Sequence, residues 1–111
     1  MNVRFADRHI RFRVQTREFD LLLAGRSLSL DVPMPGAHQF CATVNATPLG
    51  EWQLSSDPTG LWLSIPKSAL EDLRRSPPGK EGLERQFATA ASGALTVAFE
   101  VDLRKEHKVA A

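Results

Sequence analysis

Apolar residues in this chain recur at every second position, in short runs cut by turn-forming residues. Val3, Phe5, Ile10, Phe12 and Val14 take one side of an alternation whose other side holds Arg4, Arg11 and Arg13. Leu95, Val97, Phe99 and Val101 repeat the pattern against Thr96, Ala98, Glu100 and Asp102. A period of two sends neighbouring side chains to opposite faces of a β-strand, so the chain must build sheet with one face buried. Shorter runs of the same kind lie at Leu28-Leu30-Val32, Phe40-Ala42-Val44, Trp52-Leu54 and Leu61-Leu63-Ile65. Between them stand Pro33-Met34-Pro35-Gly36, Asn45 to Gly50 and Ser55 to Gly60, all read as turns or loops because Pro and Gly break a ladder.

The first two strands read as a hairpin around Asp7-Arg8, pairing Phe5 with Ile10, Val3 with Phe12 and Arg4 with Arg11. The period then lengthens. Phe19, Leu22 and Leu23 make one helical stripe over residues 17–24, with Thr16 as cap, Glu18 and Asp20 early in the helix and Gly25 ending it. A second short helix follows Pro66, with Ala69, Leu70 and Leu73 inward and a Glu71–Arg75 pair outside. Ser76-Pro77-Pro78-Gly79 closes it. Strands at about 82–88 and 95–101 complete the chain, the last being the most regular and therefore expected in the middle of the sheet.

The resulting order is ββαββββαββ. Short turns imply mostly antiparallel neighbours, hence an α+β fold with one antiparallel sheet, or a partly open barrel, of roughly seven or eight strands and two short helices. One domain over residues 1–103 is expected, with a charged tail, 104–111, that frays. A domain of this size buries about 65% of its unfolded surface, enough for a real core. No internal repeat is evident.

The N-terminal hairpin and the helix after it, Val3-Arg4-Phe5, Ile10 to Val14, Thr16 to Phe19 and Leu22 to Gly25, resemble the opening of a family of short bacterial proteins known only as a domain of unknown function. Leu63-Ser64-Ile65-Pro66-Lys67 resembles that family's strand entering a helix through Ile-Pro. Leu95 to Leu103 resembles its last strand, with Val101 and Leu103 in place of the family's Lys and Phe, and without its acidic tail. The resemblance covers roughly residues 2–103. It implies this architecture and carries no catalytic residues.

Composition narrows the functions. The net charge is +1 and a single Cys is present, which excludes a disulfide framework, a multi-Cys zinc site and a strongly basic tail. The N-terminus lacks a signal-peptide core and no run is long enough to span a bilayer, so a soluble cytoplasmic protein is expected, with no membrane partner. His38 and Cys41 are the one close pair of soft ligands; their three-residue spacing on a strand puts them on opposite faces, and His9 and His107 lie far away. No metal site and no cofactor is expected. Cys41 as a nucleophile lacks a facing base, Gly79-Lys80-Glu81-Gly82 lacks the phosphate-loop spacing, and Ser92-Gly93 lacks the elbow of a nucleophilic serine. No catalytic residue is assigned, and an enzyme is disfavoured.

Three functions remain. The first is a non-enzymatic protein-interaction domain, a homodimer or a binder of another protein, using Trp52 and Trp62. These are read as cross-strand neighbours of a hairpin apolar on both faces. The second is nucleic-acid binding through Arg4, Arg11 and Arg13, since residues 1–30 hold six Arg against three carboxylates while residues 31–60 hold three carboxylates and no Lys or Arg. The third is a small-ligand protein or enzyme with a pocket near Trp62 and Glu100. Arg4 facing Arg11 breaks the rule against like charges across strands. Glu100 and Asp102 are the compensating carboxylates if the last strand lies beside the hairpin.

Overall fold

The computed structural model describes residues 1–76, 82–90 and 93–102. Among the described residues, eight strands and two helices follow the expected order: β1 (Asn2–Ala6), β2 (His9–Gln15), α1 (Thr16–Leu23), β3 (Leu28–Met34), β4 (His38–Thr47), β5 (Gln53–Asp57), β6 (Gly60–Pro66), α2 (Lys67–Arg74), β7 (Gly82–Ala88) and β8 (Ala94–Asp102). The fold is α+β. The strands form two four-stranded sheets rather than one sheet or an open barrel, ordered β1-β2-β8-β7 and β3-β4-β6-β5. Both sheets are mixed, because β2 runs parallel to β8 and β4 parallel to β6. The split follows from the helices. The chain leaves the first sheet through α1 and returns to it through α2, so each helix is a change of sheet. The connection from β4 to β5 stays in the second sheet but steps over β6, which makes β4 and β6 parallel neighbours. The pairs β1-β2, β3-β4, β5-β6 and β7-β8 are antiparallel, as the short turns implied; the short β4–β5 connection is the exception, joining strands that are not neighbours.

A repeat of architecture appears that the residue identities hide. Shifted by 51 positions, Asn2 becomes Gln53, His9 becomes Gly60 and Thr16 becomes Lys67, the starts of the same three elements in each half. The later hairpins also correspond. Val44 lies opposite Leu63 as Phe99 lies opposite Phe12. The Cys41 N–H donates to the Thr59 carbonyl at 2.9 Å, and the Thr96 N–H donates to Arg8 at 3.0 Å, one bond being the counterpart of the other. Each half contributes its first hairpin to one sheet and its second to the other, so the halves are interlocked about a pseudo-twofold.

Phe12, Val14, Phe19 and Leu22 in the first half, and their counterparts Leu63, Ile65, Leu70 and Leu73, meet in one core with Val44, Val97, Phe99 and Val101. The Phe19 and Phe99 rings touch with centroids 6.1 Å apart. The predicted hairpin register holds residue for residue, with Phe5 facing Ile10 and Arg4 facing Arg11. The last strand is interior to its sheet, between β2 and β7.

Local differences have local causes. Helix α1 starts at Thr16 with Gln15 as the cap; the Glu18 carboxylate accepts the Gln15 N–H at 2.9 Å, so the capping residue lies one position before the expected Thr16. Gly25 has φ +89° and ends the helix as expected, its N–H reaching Leu22 while the Arg26 N–H reaches Leu21. Pro33 belongs to β3 rather than to a turn, tolerated because β3 is an edge strand. Pro66 ends β6 and caps α2 instead of opening it, and Arg75 pairs with Asp72 at 2.6 Å rather than with Glu71. The tail expected to fray, 104–111, and all but Ser76 of the expected Ser76-Pro77-Pro78-Gly79 helix end lie outside the described residues. No helix among the described residues is long and apolar enough to cross a membrane.

Candidate functional site

The outward face of the first sheet carries the basic residues of the hairpin. In the parallel register Arg13 stands opposite Glu100, and Arg11 opposite Ala98. The charges meet on the diagonal: Arg11 lies 3.8 Å from Glu100 and Arg13 lies 3.8 Å from Asp102. These side chains are half-buried, and the separations are charge contacts longer than a hydrogen bond. Guanidiniums and carboxylates thus alternate, relieving the Arg4–Arg11 opposition. Near the start of α1 this face dips into a cleft of about 400 Å³ lined by Arg4, Arg13, Glu18 and Asp102, with charges of both signs. The Met1 ammonium donates to Glu18 there at 2.8 Å. Burial works to raise the Glu18 carboxyl. The Gln15 N–H, the Met1 ammonium and the charge of Arg17 outweigh it and hold the group below the ordinary glutamate value.

The two tryptophans are not neighbours. Trp62 stands opposite Ser55, and the β5–β6 register turns on Pro58-Thr59, since Asp57 pairs with Gly60. Pairing Trp52 with Trp62 sets the register three residues off the observed one, and an odd displacement puts a side chain on the other face. Trp62 faces outward at 37% exposure between buried Leu61 and Leu63, whereas Trp52 packs on the core and receives the Arg85 guanidinium 5.9 Å from its ring. The outward face of this hairpin is polar apart from Trp62, so the hairpin is not apolar on both sides. Nor do Trp62 and Glu100 share a pocket. They point outward from different sheets, with the core between them.

The concentration of exposed apolar surface lies at one rim of the sandwich, a place the sequence reading did not single out. The tips of β1-β2 and β3-β4 meet there. Phe5 is 59% exposed and its ring makes an edge contact with Phe40, centroids 6.4 Å apart. Val32 pairs with Phe40 across the second hairpin, and Val32 and Met34 are both more than 40% exposed. At the pseudo-equivalent rim the counterpart of Phe5 is Ser56, and the counterpart of Ile10 is Leu61, which is buried. The signal was in the sequence, since Phe5 and Val32 fall on the apolar side of their strands. Burial at a strand's free end depends on what faces it across the sandwich, which periodicity does not report.

Among the described residues no group of three or more His, Cys, Asp or Glu side chains gathers to hold a metal. Cys41 is half-buried, with its Sγ 3.3 Å from the Thr43 hydroxyl. The Gly79-Lys80-Glu81-Gly82 and Ser92-Gly93 motifs lie largely outside the described residues. Comparison with protein families, with characterised proteins and with solved structures finds no significant match to this chain.

Proposed function

We propose that this chain is a non-enzymatic protein-interaction module that docks through the rim of Phe5, Val32 and Met34, with a second copy of itself as the occupant. The asymmetry between the two rims supports this reading. The fold supplies the same rim twice, and the second carries Ser56 in place of Phe5, Thr89 in place of Met34 and a half-buried Phe87 in place of the more exposed Val32. Leaving large apolar side chains in water at the first rim forgoes burial worth about 1.5–3 kcal/mol for a fully covered residue. A patch of this kind on a small protein marks an interaction surface. The rim is small beside the roughly 800 Å² per partner of a standard interface, so the association is weak and reversible.

Sedimentation equilibrium from micromolar to millimolar protein tests the proposal. The mass rises with concentration toward twice that of the chain, and Phe5→Ser, which installs the residue of the other rim, holds the protein monomeric. A monomer at every concentration, or a dimer indifferent to Phe5→Ser, overturns it. Nucleic-acid binding is the weaker reading, because Arg11 and Arg13 each have a carboxylate at 3.8 Å.

A further inference from the structure

A second surface, independent of the rim, is the outward face of β3-β4-β6-β5. The registers place Ser29, Thr43, Trp62 and Ser55 in one row across its four strands. The next row holds Asn45, Ser64 and Gln53. Every residue of these two rows is uncharged, and every one but Trp62 is a small or amide-bearing polar side chain. Trp62 sits on an interior strand with Thr43 and Ser55 as its lateral neighbours, both much shorter than an indole. The indole is 37% exposed on this face. The Ser29 and Thr43 hydroxyls are 3.1 Å apart, so the polar groups beside it are already organised. The nearest charges on this face, Asp31 and Asp57, stand in the row beyond. Asp57 is occupied by the Thr59 hydroxyl at 2.6 Å and the Thr59 N–H at 2.7 Å.

We infer that this face binds a neutral carbohydrate, with a pyranose ring stacked on Trp62 and its hydroxyls met by the Thr43, Ser55, Ser64 and Asn45 side chains. A sugar ring presents C–H bonds on one face and hydroxyls around its edge. The negative face of an indole attracts the polarised C–H bonds, and neighbouring hydroxyl and amide groups exchange hydrogen bonds with the edge. The two tryptophans divide the labour. Trp52 is committed to the core and to Arg85, while Trp62 does nothing for the core in a position where a Thr or Ser would suit the strand. An anionic ligand is the wrong partner, since the two rows offer it no cation and the next row holds two aspartates. A nucleobase could stack on Trp62, but among the described residues these rows offer its phosphates no guanidinium or ammonium.

The test is a titration of the ¹⁵N-labelled chain with neutral hexasaccharides of glucose and of N-acetylglucosamine, up to millimolar, followed by NMR. The Trp62 indole N–H and the backbone amides of Thr43 and Ser55 shift in a saturable way, and the Trp52 indole N–H does not. Trp62→Ala weakens binding at least tenfold while keeping the dispersed spectrum of the folded protein; Phe5→Ser, at the rim, leaves it unchanged. No shift with either sugar series, shifts confined to other residues, or equal binding by Trp62→Ala overturns the inference. So does a Trp62 shift that depends on protein concentration without sugar, which marks a contact between copies, or one elicited by a short oligonucleotide instead.

Discussion

The two halves of this chain build the same hairpin, helix and hairpin, and then diverge wherever the copy is not constrained by the core. Inward positions keep their apolar character while changing identity: Phe12 against Leu63, Val14 against Ile65, Phe19 against Leu70. Position 9 is a histidine in the first half and its counterpart is Gly60 in the second. The first rim shows Phe5 where the second shows Ser56. Helix α1 has Glu18 reaching back to its cap, and α2 has Ala69 at that place, behind Pro66. One outward face is a ladder of charges, the other is neutral around a tryptophan. A shared fold thus fixes only what the core and the ladders demand, and the surfaces are free to specialise.

The largest expected effect lies where the copies differ in backbone clearance. A Cβ built on Gly60 would run into the Cys41 carbonyl, a backbone atom in the parallel β4–β6 pair that cannot move aside alone. Gly60→Ala is expected to cost about 1–3 kcal/mol, the range for overpacking a tight site. His9→Ala, at the equivalent place, stays within about 0.5 kcal/mol because a side chain is already accommodated there. Urea denaturation of both variants checks this. Equal effects would mean that the two parallel junctions are interchangeable after all.

The helix starts give a smaller difference with a pH signature. Glu18 is held below the ordinary glutamate value in the folded chain. A lowered folded value means its contribution is fully present above the unfolded value and is lost as pH falls through the folded one. Glu18→Ala should cost about 0.5–2 kcal/mol near neutrality, as for other capping residues, and little once the pH is below the folded value. Since α2 carries alanine at the corresponding position, no such acid-labile term arises there. Thermal unfolding of wild type and variant from pH 3 to 7 should show curves that converge toward the acid end; a constant gap across that range would assign Glu18 a packing role instead.

How far the sequence carried the fold can be judged from particular residues. Strand positions, the Arg4–Arg11 register and the central place of the last strand were legible because each rests on period two and short turns, both local. The two-sheet split was not, because it depends on where α1 and α2 deliver the chain. The repeat stayed hidden because Phe12 and Leu63, or Phe19 and Leu70, share only hydrophobicity. Trp52 and Trp62 are ten residues apart, and no two-residue turn between them puts both on one face, so pairing them exchanges faces rather than merely shifting a contact. The exposed rim, where the interaction proposal now rests, needed Phe5 and Phe40 to be seen facing each other across two sheets.

The smallest effect concerns the charge ladder, which has no counterpart in the uncharged rows around Trp62 on the second sheet. Arg4 and Arg11 stand directly opposite, and like charges in that position repel. Glu100 at 3.8 Å from Arg11 offsets the repulsion, and Asp102 does the same for Arg13. Half-exposed pairs at this distance contribute about 0–1 kcal/mol each and are screened by salt, so neither carboxylate is needed for folding. Their role emerges only through coupling. With Glu100 intact, Arg4→Gln should leave stability nearly unchanged, because the field at Arg11 is already balanced. In a Glu100→Gln background the same Arg4→Gln should become stabilising by a few tenths of a kcal/mol, about the scale of cross-strand charge pairs. The difference between the two backgrounds is the interaction term of a double-mutant cycle, and it should vanish at about 1 M salt, where the screening length is near 3 Å. If Arg4→Gln has the same effect in both backgrounds, the carboxylate does not compensate the guanidiniums, and the basic face of the first hairpin is held in place for some other purpose, nucleic-acid binding foremost.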